Sequence, residues 1–299
     1  MMKALYQALY ISLLLFTCLS CGVDDASLSE GFLIQPGDII ISDNANNSVY
    51  HYDSTGKFIG ILFTAQTGEV TYGLSWNHLT NEIYISIDGA DRIAAVKAID
   101  KSIVDPQIAT TTLNGVLRAV AVLSDGETIV TESNNIERFD RTNNRVVSAV
   151  WPQIGVGTGP YDINPTVDGG YIISFFNSSR IDIHNADTTL RFRTLSSVPG
   201  TVRNYGTIEM SNGNIATVWN GATDTVIIYS PDLTTEILTY ANPSILTDPR
   251  SIVQAANGNL LIVDGTLDHI IEITQSGDLV RTFPFLGGSA WDMLVIPNF

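Results

Sequence analysis

The chain has only two cysteines in 299 residues, Cys18 and Cys21, and both stand at its N-terminal end. No disulfide can therefore staple the body of the protein, which excludes the disulfide-dense small secreted scaffolds. A chain of this length does not need one, because it can bury a sizeable core without covalent cross-links. Basic residues are scarce too: 15 Lys and Arg stand against 31 Asp and Glu, for a formal net charge of −16. That balance excludes a nucleic-acid surface and any broad contact with anionic lipid. The acidic residues are scattered rather than gathered in a tail, so their plainest effect is solubility.

Catalytic signatures are also thin. The histidines, His51, His78, His184 and His269, are too scattered for a metal cluster or a shared general base. No G-x-S-x-G nucleophile elbow is present. Nor is there a sialidase-type Ser-x-Asp-x-Gly-x-Thr-Trp box, since Ser124-Asp125-Gly126 reads only as a hairpin turn. No cofactor is implied. No stretch keeps a helical period, and the one long apolar run, Ala4–Phe16, is too short to span a bilayer as a helix.

What the chain does have is a register. Tyr72, Arg118, Tyr161, Tyr205, Arg250 and Trp291 fall about 41–46 residues apart, and a fixed period of that size marks a repeat architecture. Asp125-Gly126, Asp168-Gly169, Asn212-Gly213 and Asn257-Gly258 each follow an aligned position at the same offset, with Asn81 slightly later in its own repeat. These pairs supply the positive φ angles of tight hairpins. Between them lie short runs rich in β-branched and aromatic residues, such as Ile39-Ile40-Ile41 and Leu260-Leu261-Ile262-Val263, which read as strands. Four strands per repeat and six repeats predict an all-β, six-bladed propeller over residues 37–299. The last run, Trp291–Ile296, is an inner strand with no outer strands after it. Its outer strands are expected at Asp38–Ser42, Ser48–Tyr52 and Lys57–Phe63, so one blade is shared between the two ends of the chain, leaving no open sheet edge.

The register also places a candidate site. In such a propeller the first strand of each blade lines the central channel, and its start shares a face with the loop after the second strand. The aligned column then predicts a ring of Tyr72, Arg118, Tyr161, Tyr205, Arg250 and Trp291 around one mouth. Phe175, Phe176 and Trp219 are expected beside it. Aromatic faces with arginine suit a glycan, a peptide or a protein partner, through stacking, cation–π contact and bidentate hydrogen bonds. The competing expectation is that these side chains plug the channel. Asp43, Asp88, Glu132 and Asp264 end second strands, where a carboxylate commonly accepts loop N–H groups. An enzymatic alternative needs a divalent cation in the channel. Only Asp162 and Asp292 offer carboxylates at the next inner position, on blades that face each other across the ring, whereas direct calcium ligands lie ~2.3–2.6 Å from the ion.

Two resemblances add expectations. Ile41-Ser42-Asp43 with Gly56-Lys57-Phe58, and Ile262-Val263-Asp264 with Gly277-Asp278-Leu279, resemble NHL-type repeats. The likeness implies a propeller that serves as a binding scaffold, a lactonase-type hydrolase or a peptide-processing enzyme, and it speaks to fold more than to activity. The N-terminus has the pattern of a signal peptide over residues 1–20. Leu19-Ser20-Cys21-Gly22 resembles a bacterial lipobox, in which Cys21 would be acylated, with residues 21–36 as the lipidated end and its tether. Cys18 stands where a lipobox carries Leu, so ordinary secretion or release into the periplasm is the alternative. Gly22 leans the sorting toward an outer membrane where the host has one. The expected protein is a monomer at a bacterial cell envelope, touching the membrane only through its acyl chains. Cys21→Ser should then move the folded protein from the detergent phase to the aqueous phase of a detergent partition. An unsubstituted protein that already stays in the aqueous phase would exclude the anchor.

Overall fold

The turn residues fix the strand lengths. Asn81, Gly126, Gly169, Gly213 and Gly258 all take positive φ, between 54° and 86°, at the tips of the hairpins joining first and second strands. The computed structural model describes residues 33–105, 108, 116–132, 135–146, 159–176, 180–195 and 203–298. The signal segment, Cys21 and most of the tether lie outside them. The strands form six antiparallel sheets, one per repeat, and no helix occurs among the described residues.

From axis to rim, blade 1 is Ala290–Val295, Ile39–Asp43, Ser48–Tyr52 and Phe58–Thr64. Blade 2 is Val70–Asn77, Glu82–Asp88, Arg92–Lys97 and Ile103–Val104. Blade 3 has Leu117–Val122, Thr128–Glu132 and Asn135–Phe139, and a bridge from Phe139 to Arg145 follows its outer hairpin. Blade 4 is Pro160–Pro165, Tyr171–Phe175, Arg180–His184 and Leu190–Leu195. Blade 5 is Arg203–Glu209, Ile215–Asn220, Thr225–Tyr229 and Glu236–Tyr240; blade 6 is Pro249–Gln254, Leu260–Asp264, His269–Ile273 and Leu279–Pro284. The six-bladed propeller expected from the register is therefore present.

Closure works through the two ends. Ile39 pairs with Val295 and Ile41 with Met293, and the ladder runs on outward, with Ile296 N donating to the Asp38 carbonyl (2.9 Å) and Gly37 N to the Ile296 carbonyl (2.8 Å). The core is divided into apolar clusters at the six blade interfaces. Because alternate side chains leave opposite faces of a strand, Ile39 and Ile41 pack toward blade 6 while Ile40 packs toward blade 2. That is why the second strands read as unbroken apolar runs: both faces are buried. Deleting Ala290–Phe299 should strip blade 1 of its inner strand, bare the apolar interfaces beside it and lower the melting temperature by about 10 °C or more, or cause aggregation. Thermal unfolding by circular dichroism checks this; a truncated chain melting within about 2 °C of the intact one would mean closure does not hold the ring.

Candidate functional site

Every inner strand carries the same irregularity. In blades 3 to 6 the ladder skips one residue of the inner strand, and the skipped residues are Arg118, Tyr161, Tyr205 and Arg250. In blades 2 and 1 the pairs Tyr72-Gly73 and Trp291-Asp292 lie opposite a single partner residue. A β-bulge of this kind bends its strand and re-aims a side chain. Here it brings the aligned residue and its successor together at the axis. Buried hydroxyls brace the kinks: Ser86 Oγ accepts from Gly73 N (2.7 Å) and donates to the Arg118 carbonyl of the next blade (3.1 Å). Ser174 Oγ does the same between Asp162 N (3.1 Å) and the Tyr205 carbonyl (3.4 Å), and Ser42 Oγ donates to the Tyr72 carbonyl. Gly73 and Gly206 let neighbouring inner strands close in, since a Cβ on either would come within 2.5 Å and 2.9 Å of the next blade's Cα.

The ring that results is packed on itself. Tyr72 meets Trp291 edge-on at 4.8 Å, Tyr161 meets Tyr205 at 4.8 Å, and Phe176 stacks on Tyr161 at 5.4 Å. Tyr161 and Tyr205 are buried, and the space left beneath them is about 10 Å³, room for about one water. Of the two expectations for this mouth, the structure therefore has the plug. Arginines lie over it: Arg118 sits 5.1 Å from the Tyr161 ring, Arg203 4.8 Å from Phe176, and Arg250 4.9 Å from Trp291.

Two expected members of the mouth are elsewhere. Phe175 and Trp219 are each 0% exposed, inside the interfaces between blades 3 and 4 and between blades 4 and 5. Both are still within their second strands, paired across to Pro160 and Asn204, so strand parity turns them between blades. Phe176, one residue on, turns to the mouth instead. Arg203 was not anticipated; its place two residues before Tyr205, on the same side of the strand, is the sequence signal that could have found it.

Beneath the aromatic layer lie Asp162 and Asp292, lining one small cavity with Gly73 and Ala119. Asp162 accepts from Ile163 N (2.8 Å), Asn164 Nδ2 (2.8 Å) and Thr207 N (3.2 Å). Asp292 accepts from Leu74 N (2.7 Å), Met293 N (2.7 Å) and Ser251 Oγ (2.8 Å). Burial raises the pKa of both carboxyls above the usual range, and the charge of Asp292 raises Asp162 further. The titration of one carboxyl therefore depends on the charge of the other. No cluster of three or more His, Cys, Asp or Glu side chains arranged to hold a metal ion occurs among the described residues. Asp43 and Asp264 take the structural role expected of them. Asp264 accepts from Thr247, Asp248, Thr266 and Leu267 N–H groups at 2.6–3.0 Å; burial pushes its pKa up, and those bonds hold it below the ordinary range. His51, His184 and His269 lie on third strands away from the axis.

No known family model matches the sequence, and no curated protein matches it. By fold the chain is similar to a solved chain of a nidogen/laminin complex, with a TM-score of 0.70 and 14% identity over 86% of this chain and 97% of that one. It is similar to a streptogramin B lyase at 0.60 and 17%, covering 72% of this chain and 69% of the other. A gluconolactonase from Xanthomonas campestris gives 0.59 and 13%, over 91% and 92%. At such identities the likeness establishes the propeller fold alone.

The carboxyl pair makes stability depend on pH. Both groups hold protons to higher pH folded than unfolded, so the folded chain binds more protons above the ordinary carboxylate range, and stability falls as pH rises through that window. Asp162→Asn removes the second charge while keeping an acceptor for Thr207 N. Denaturant unfolding should show the variant losing less stability than the parent between about pH 5 and about pH 8. Parallel curves would mean the pair is not coupled.

Proposed function

We propose that this protein is a recognition propeller of the bacterial cell envelope, anchored through an acylated Cys21, with NHL-type repeats as its scaffold. Its arginine-aromatic mouth is the surface that reads a partner, and the chemistry it reads is anionic: the carboxylates of an acidic peptide, a protein segment or an acidic glycan. One observation carries this reading. Arg250 is held by Asp248, with Nη2 2.8 Å from the carboxylate, whereas Arg118 and Arg203 have no carboxylate partner among the described residues. Both lie over aromatic faces, where a guanidinium is preorganised and its fork remains open to a carboxylate. Because the plug is filled, recognition is of a surface rather than a deep pocket, with Trp291, Tyr72 and Phe176 as its platform.

The geometry is consistent with the tether. Leu33 N and Ile34 N donate to the Ala98 carbonyl, in the turn that leaves the third strand of blade 2. That turn is on the basal face, opposite the mouth. A protein held by its N-terminus would therefore present the mouth away from the membrane.

A second reading is a hydrolase with its site in the channel, favoured by the facing carboxylates Asp162 and Asp292 and by the fold shared with a gluconolactonase. It requires the aromatic plug to move, because the cavity of about 10 Å³ admits no substrate. A screen of acidic peptides and uronic-acid glycans separates the two readings. Arg118→Ala and Arg203→Ala should each weaken an anionic ligand by about tenfold and flatten its salt dependence, leaving neutral ligands unchanged. Calcium, zinc and chelator should make no difference. Metal-dependent lactone or ester turnover that disappears in Asp162→Ala would instead establish the hydrolase.

A further inference from the structure

The open end of the channel is the other one. On the basal face, where the inner strands finish, a cavity of about 540 Å³ opens between all six blades, within the range of ~300–1,000 Å³ typical of small-molecule sites. Leu74, Trp76, Val122, Ile208, Val253 and Met293 give it apolar walls. Its floor is the underside of the carboxyl layer: Leu74 N and Met293 N donate to Asp292, and Asn164 Nδ2 to Asp162. Those bonds turn the polar groups of the floor inward, while Ser75, His78, Ser124, Thr166 and Gln254 place polar groups among the apolar walls. Val167, 81% exposed, stands at its lip.

The electrostatics of this funnel select a sign. Among the described residues Glu209 is the only carboxylate in its wall, no Lys or Arg lines it, and His78 is its one imidazole, with Nε2 3.1 Å from the Ser124 carbonyl oxygen. Glu209 Oε2 accepts from Val167 N at 2.7 Å, which fixes the carboxylate at the lip. Each blade adds an aspartate in its outer basal turn: Asp53, Asp100, Asp140, Asp187, Asp232 and Asp278. Side-chain and backbone hydrogen bonds within the turns hold Asp187 and Asp232 below the ordinary carboxylate range, so they stay ionised. Lys57, Lys101 and Arg141 offset the aspartates in the turns of blades 1 to 3, and Arg191 of blade 4 is paired to Asp168. The outer turns of blades 4 to 6 contain no Lys or Arg of their own, although Arg138 of blade 3 donates to the Ala186 carbonyl in the turn of blade 4 (2.7 Å); Glu209 belongs to that half. An anion would meet this face against its field, and a cation would be drawn to the side where Glu209 stands.

We propose that the basal funnel is a binding site for a small amphipathic cation, its apolar body against Leu74, Trp76, Ile208 and Val253 and its positive group at Glu209. The apolar walls supply affinity by burial, and the single carboxylate with its acidic surroundings supplies the choice of sign. This site is separate from the arginine-bearing mouth and does not depend on what that mouth binds.

The test uses three ligands with one chain length and different heads, below their micellar concentrations: decyltrimethylammonium, decyl maltoside and decanoate. Titration calorimetry on the purified chain should show saturable binding of the ammonium ligand, about tenfold tighter than decanoate at low salt. Glu209→Gln keeps an acceptor for Val167 N and should reduce that preference about threefold or more, with decyl maltoside unaffected. Val253→Trp, and Val167→Trp at an exposed lip position that does not threaten folding, narrow the funnel and should each weaken binding. Arg118→Ala, on the other face, should change nothing. Equal affinity for all three heads, or an ammonium affinity that neither tryptophan substitution weakens, would overturn the proposal.

Discussion

Six strands must meet at one axis while each remains a member of its own sheet, and the space at that axis governs the rest of this molecule. A regular strand pair would send alternate side chains between the blades and leave the centre to whatever the twist allowed. The bulges at Tyr72-Gly73, Arg118, Tyr161, Tyr205, Arg250 and Trp291-Asp292 change that. They put a large side chain and a small or acidic one together at the centre of each blade. Hydroxyls from the second strands hold the kinked backbone, and each such bond to the next blade ties a local irregularity to ring closure. The blade interfaces supply the burial, but the bulges decide what the axis is made of.

Along the axis the consequence is a sequence of layers with different chemistry. Arginines cover the mouth, aromatic rings fill it, a buried carboxyl pair lies below, and a largely apolar funnel opens at the base. Each layer constrains the next. Burial beneath the aromatic layer raises the pKa of both carboxyls, and the N–H groups that satisfy Asp292 come from Leu74 and Met293, whose side chains line the funnel.

The sequence alone determined the number of blades, the shared closing blade and the turn positions, because these rest on spacing and on residues such as Gly126 and Gly213 whose conformational needs are local. It also determined which residues stand at the mouth column, and that Asp162 and Asp292 are the only carboxylates at the next inner position. Tertiary structure decided what those residues do. Phe175 and Trp219 fall inside the blade interfaces because the second strand continues through them, and one step of strand parity separates Phe175 from Phe176 at the mouth. Whether a ring of aromatics encloses a pocket or fills it depends on how far six strands converge, set by bulges and by glycines such as Gly73 that show no distinct signal in one repeat. The basal funnel was illegible for a related reason: its walls are ordinary apolar inner-strand residues, and only the taper of the assembled ring leaves them facing open space.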